Sequence, residues 1–131
     1  MTKPILCLDF DGVLHSYTSG WKGIDVIPDP PVDGALEFLI EAQEHFRIAI
    51  YSSRSTEIEG RLAMQQWVKT ILLHDMQDTA TTEQIRRAYQ DIEWPVSKPP
   101  AFLTIDDRGI LFTGVWPNVD DLLCFKPWNK Q

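Results

Sequence analysis

Short, unbroken apolar runs alternate along this chain with longer stretches whose apolar residues recur at helical spacing, and that alternation is what most limits the fold. Ile5-Leu6-Cys7-Leu8 and Ile48-Ala49-Ile50-Tyr51 read as strands covered on both faces. Ile71-Leu72-Leu73 reads as a third strand, Ala101-Phe102-Leu103-Thr104-Ile105 as a fourth buried strand, and Ile110-Leu111-Phe112 as a fifth. Between the first two runs, Val32, Ala35, Leu36, Leu39 and Ile40 lie on one helical stripe. Asp29 is the candidate N-cap, with Pro30 and Pro31 tolerated in a first turn. Further helices are expected from about Thr56 to Lys69, from Thr81 or Thr82 to about Glu93, and from about Asn118 to Cys124. Such alternation implies right-handed crossovers and a doubly wound, Rossmann-like α/β domain, with a parallel sheet and helices on both faces.

The length, 131 residues, suits one domain, which is expected to span the whole chain. Twelve basic against nineteen acidic side chains leave a net charge of −7, which at long range repels phosphate backbones and anionic lipid. That balance argues against a general nucleic-acid or membrane binder while permitting one local basic pocket. No run approaches the ~18 apolar residues of a membrane span. The single Lys3 before Ile5–Leu8 makes too short a segment for a secretory signal. The chain is read as soluble and cytoplasmic, with no membrane partner. Cys7 and Cys124 are read as two buried thiols in a reducing compartment.

Three of the expected strands end in a polar residue with chemistry to offer: Asp9, Ser52 and Asp106. In an open parallel sheet the carboxyl ends of the strands share one edge, where ligands bind. Asp9, Asp11, Ser52, Asp106 and Asp107 should therefore meet in one crevice. Carboxylates ~4 Å apart repel by about 1 kcal/mol even in water, and by more in a drier site. A proton or a cation must offset this, and hard oxygen ligands with room for water suit Mg²⁺. Ser53 and Arg54 open the loop before the second helix, Lys98 precedes the fourth strand, and Arg108 follows the acid pair. Cations, a hydroxyl and a helix N-terminus beside an acid cluster describe a phosphate pocket.

These residues carry a resemblance. Asp9-Phe10-Asp11-Gly12-Val13 resembles the first motif of the haloacid dehalogenase-like phosphohydrolase superfamily, Ser52 the second, Lys98 the third and Asp106-Asp107 the paired-acid fourth, in that order along most of the chain. The resemblance implies a Mg²⁺-dependent phosphomonoester hydrolase working through an aspartyl-phosphate. Asp9 would be nucleophile and metal ligand, and Asp11 the general acid/base, binding metal through its carbonyl. Ser52 would hydrogen-bond the phosphoryl group and Lys98 would hold it against Asp9. Asp106 would ligate the metal, with Asp107 beside it or acting through water. Ser53, Arg54 and Arg108 would bind substrate.

Only a small flap fits between about residues 12 and 29, so no cap domain is expected and the site should be open. His15, Tyr17, Trp21 and Lys22 lie on that flap and could meet a leaving group. His45 and His74 are read as structural or solvated, and Asp120-Asp121 as the opening of a short helix. The aromatic-rich tail Phe125-Lys126-Pro127-Trp128 could be a partner site, but packing back onto the domain is the commoner arrangement. Ser52-Ser53-Arg54 together with Ile105-Asp106-Asp107-Arg108 is also similar to the phosphatase half of polynucleotide kinase-phosphatases. The resemblance thus implies a phosphorylated substrate, a small molecule or a nucleic-acid end, and a polynucleotide 3′-phosphatase-like protein is one alternative. Another is a non-catalytic, phospho-receiver-like module, although receivers place the Lys after the other motifs. Here Lys98 comes before the last acid pair.

Overall fold

The strand Ile5–Leu8 (β1) is central because it has no surface to give to water: Leu6, Cys7 and Leu8 are all buried. A computed structural model describes residues 2–130 and shows an α/β architecture around this strand. Helix α1 (Ala35–Ala42) follows, then β2 (Arg47–Ile50), α2 (Ile58–Asp75), α3 (Thr82–Gln90), β3 (Leu103–Ile105) and α4 (Val119–Leu123), with a 3-10 turn over Trp128–Lys130. The sheet is open and all-parallel in the order β2-β1-β3. Cys7 pairs with Ala49 on one side and Thr104 on the other. The ends of β1 and of both its neighbours therefore lie together on one edge.

The core forms where the helices lay their stripes against the sheet. Leu36, Leu39 and Ile40 come from α1, Met64, Val68 and Leu72 from α2, and Ile85 and Ala88 from α3. Burying each large apolar side chain contributes about 1.5–3 kcal/mol. Helix α3 opens with a capping box, in which Thr81 Oγ1 accepts from Gln84 N at 3.1 Å while Gln84 Oε1 accepts from Thr81 N at 2.9 Å. No helix among the described residues is long and apolar enough to cross a membrane.

Several expectations are corrected. Ile71-Leu72-Leu73 is not a strand but lies within the last turn and a half of α2. Leu72 continues the stripe of Met64 and Val68, whereas Leu73 is exposed; a short apolar run alone cannot separate these two environments. Next to β2 the sheet is extended by one parallel bridge, where Glu93 N donates to Ile48 O at 2.8 Å and Ile50 N to Glu93 O at 3.0 Å. Ile110-Leu111-Phe112 forms no strand, because it meets no neighbouring strand among the described residues. The fourth expected strand is shorter, covering Leu103–Ile105, and it is exposed, lying at the sheet edge with β1 on one side only. Cys124 is likewise exposed, at the end of a helix with no buried residue. Asp29 does not cap α1, which begins after Gly34.

Candidate active site

Asp9 sits one residue past β1, tied to the neighbouring strand by its own N–H, which donates to Ile105 O at 3.0 Å. Its Oδ1 accepts from Phe10 N at 2.7 Å. Phe10 is fully buried, and its carbonyl accepts from Val13, Leu14 and His15 N, which coils residues 10–15 into a tight turn. Gly12 stands in that turn at φ 84°, and a Cβ there would lie 2.3 Å from Asp107 Oδ2. Only glycine gives this backbone freedom and leaves this space. Asp107 is thereby brought beside the turn from the end of β3.

The cleft these segments enclose has a volume of about 470 Å³. Asp9, Asp11, Ser52, Ser53, Lys98, Asp106, Asp107 and Arg108 all line it, although they come from four separate stretches of chain. One oxygen from each of Asp9, Asp106 and Asp107 lies within 4.8 Å of the others. Asp106 Oδ1 accepts from Arg108 N at 2.8 Å, which shapes the turn after β3. Oδ1 of Asp107 is buried with no hydrogen-bond partner among the described residues. A buried carboxylate oxygen without a donor is costly, and a cation shared with its neighbours would satisfy it.

Burial pushes Asp9 up to about 7; the Phe10 N–H opposes this, and the neighbouring Asp106 and Asp107 add to it. Protonation of Asp9 or a bound divalent cation would each relieve this crowding of negative charge.

Asp11 is positioned differently. Its Oδ2 accepts from Arg54 Nε at 2.9 Å and its Oδ1 lies 2.9 Å from His15 Nδ1. Asp29 N donates to His15 Nε2 at 3.0 Å, so that nitrogen is an acceptor and the ring proton sits on Nδ1, donated to Asp11. Asp29 in turn accepts from Ser19 N at 2.8 Å, and the Ser19 hydrogen bonds hold its carboxyl below the usual carboxylate range. The Asp11 carboxylate is thus clamped on both oxygens, outside the three-acid group.

Arg54, expected to bind substrate, does not line the cleft. It is fully buried and donates from Nη1 to the carbonyls of Gly23 and Ile24, both at 2.8 Å, while Trp21 stacks over its guanidinium. It joins the flap to Asp11. His15 is buried too and cannot meet a leaving group, and of the four flap candidates Tyr17 alone lines the cleft. Tyr17 adopts φ 61°, a conformation that bulky residues seldom take up.

Ser52 is held by a compact turn in which its N–H donates to Ser55 Oγ at 2.9 Å and Arg54 N donates to its Oγ at 3.0 Å. The hydroxyl proton meets only the sulfur of Met64, at 3.5 Å. Sulfur is a weak acceptor, so this O–H has more to gain from an oxygen in the cleft. The turn is pressed against α2 at Gly60, where a Cβ would lie 2.0 Å from Arg54 O. Lys98 and Arg108 stand exposed on the cleft wall.

The structure adds Tyr51, Thr56 and Asn129 to the cleft lining. Asn129 arrives there because Trp128 Nε1 donates to Gly12 O at 2.8 Å, packing the tail onto the turn. No local pattern in the sequence signals that contact, which joins residues at opposite ends of the chain. Comparison with protein-family models, with curated proteins and with solved structures finds no match to this chain.

Proposed function

We propose that this chain is a Mg²⁺-dependent phosphomonoester hydrolase of the haloacid dehalogenase-like kind, a doubly wound domain without a cap that acts in the cytoplasm. The observation that carries the reading is the meeting of Asp9, Asp106 and Asp107, their oxygens within 4.8 Å, beside Ser52 and Lys98 in one cleft. The buried, unpartnered oxygen of Asp107 and the elevated Asp9 fit a hard divalent cation. Asp9, Asp106 and Asp107 would hold it by their carboxylates, with Asp11 contributing through its backbone carbonyl. When bound, the ion would neutralise charge on the acids and on a phosphoryl group.

The remaining steps belong to side chains. Asp9 attacks phosphorus, forming an acyl–phosphate bond as the ester P–O bond breaks. Asp11, held by Arg54 and His15, enters the first step carrying a proton on an acceptor site those two leave free, gives it to the departing oxygen, and then regains one from the water that cleaves the acyl phosphate. Its two clamped oxygens use about half of a carboxylate's ~four acceptor sites, leaving the others for this exchange. Ser52 donates to a phosphoryl oxygen, and Lys98 and Arg108 balance its charge. Positioned donors and charges of this kind carry most of phosphoryl-transfer catalysis.

The test is hydrolysis of an aryl phosphate by the purified chain. Turnover should require Mg²⁺, stop on chelation and return when the ion is restored. Asp9→Asn, isosteric but not nucleophilic, should abolish it without loss of the folded circular-dichroism spectrum. Undiminished turnover by Asp9→Asn would exclude the mechanism.

A further inference from the structure

The hydrophobic core cluster ends at Trp94, and no residue after it belongs to that cluster among the described residues. Yet the chain beyond is rich in large apolar side chains. Twelve of the twenty that are exposed in the structure lie between Phe102 and Phe125, so the surplus belongs to one segment and is not scattered. Leu111 is 86% exposed and Trp116 83%. The segment begins on β3, which presents an unpaired edge, and runs through α4, where Val119, Leu122 and Leu123 are all exposed at i, i+3 and i+4 spacing. Beside β3 a groove of about 280 Å³ is lined by Val13, Leu14, Val32, Phe38 and Ile105.

We propose that this surface is a homodimer interface, and that a second copy of the chain covers the β3 edge and the segment Phe102–Phe125. Area is the first reason. Phe102, Phe112, Trp116 and Phe125 are 43–83% exposed. At ~150–250 Å² per ring these four alone present on the order of 500 Å². The aliphatic residues bring the segment to the ~800 Å² per partner that a specific interface needs.

Charge is the second reason. Residues 109–119 carry no charged side chain in a chain of net charge −7. Two copies repel one another over most of their surface, but along this uncharged run, between Asp107 and Asp120, no acid meets another. The third reason is that groove and ridge occur on the same chain: each copy carries both the groove beside β3 and the exposed apolar side chains Val119, Leu122 and Leu123 of α4. A two-fold axis pairs such surfaces and closes the assembly at two. Arg108, which lines the cleft, lies two residues before Ile110, so the interface would border the candidate site.

The experiment is the mass of the full-length chain in solution, by light scattering across a wide concentration range. The wild type should run at twice 15.1 kDa. The double variant Leu111→Asp/Trp116→Asp should run at 15.1 kDa with an unchanged circular-dichroism spectrum, since neither side chain contributes to the core. Ile58→Asp/Leu62→Asp, also exposed (56% each) but on α2, should leave the dimer intact. A monomeric wild type overturns the proposal whether or not any variant folds. So do a double variant that stays dimeric, a control that dissociates, and species of open-ended mass.

Discussion

Arg54 Nε donates to Asp11 Oδ2 at 2.9 Å from a position with no exposure to solvent, while Asp11 remains 13% exposed at the cleft. A buried cation therefore fixes an acid that faces the cleft. The same guanidinium holds two flap carbonyls, so flap and acid are set by one side chain.

Arg54→Ala should accordingly behave as a stability variant as much as a catalytic one. Removing one member of a buried ion pair costs about 3–5 kcal/mol. Arg54→Lys should recover little, because an ammonium on a flexible stem does not reproduce the planar fork that reaches Asp11, Gly23 and Ile24 together. Urea unfolding of both variants is the measurement. A loss under ~0.5 kcal/mol, the scale of an ordinary surface change, would contradict the clamp.

The elevation of Asp9 sets a pH dependence with a definite sign. Its carboxyl titrates at about 7 in the folded chain, against an ordinary value of 3.8. The folded state thus holds this proton more tightly than the unfolded state. The stabilisation is complete below 3.8 and is lost as pH rises to about 7. In chelator, the melting temperature of the wild type relative to Asp9→Asn should fall between pH 5 and ~7 and then level off. Added Mg²⁺ should raise it most at the alkaline end, where no proton competes for the oxygens. A wild-type curve parallel to that of Asp9→Asn would remove the basis for a strained acid cluster.

Gly12→Ala tests the approach of Asp107. The new methyl would lie 2.3 Å from Asp107 Oδ2 and would sit on a backbone at φ 84°. The conformational term alone should cost about 1 kcal/mol or more. Displacement of Asp107 should weaken Mg²⁺ binding, seen by titration calorimetry, at least tenfold. Wild-type affinity in a variant that remains folded would show that Asp107 takes no part in the ion's site.

Much of this architecture was legible in the sequence because it depends on local signals. Ile5–Leu8 and Arg47–Ile50 occupy the places their apolar runs indicated, and Thr81 caps α3 by a recognisable box. The convergence of Asp9, Ser52 and Asp106 on one edge follows from parallel pairing alone. What escaped was decided by tertiary contacts. Leu72 could belong to a strand or a helix until Met64 and Val68 shared its stripe. Arg54 and His15 read as ligand-facing because a cation or an imidazole near an acid motif usually is; their full burial depends on the flap folding over them. Ile110–Phe112 has the composition of a strand but lacks a neighbour to pair with among the described residues.

The hydrogen bond from Trp128 to the Gly12 carbonyl places an indole one peptide unit from Asp11 and beside Asp107. Indole emission shifts with the polarity and hydrogen bonding around the ring, so any rearrangement of the acidic turn becomes visible by fluorescence. Trp128→Phe supplies the blank against the other four tryptophans. On the proposed function, the molecule carries its own optical gauge of occupancy, through which ion uptake would be followed in real time without a label.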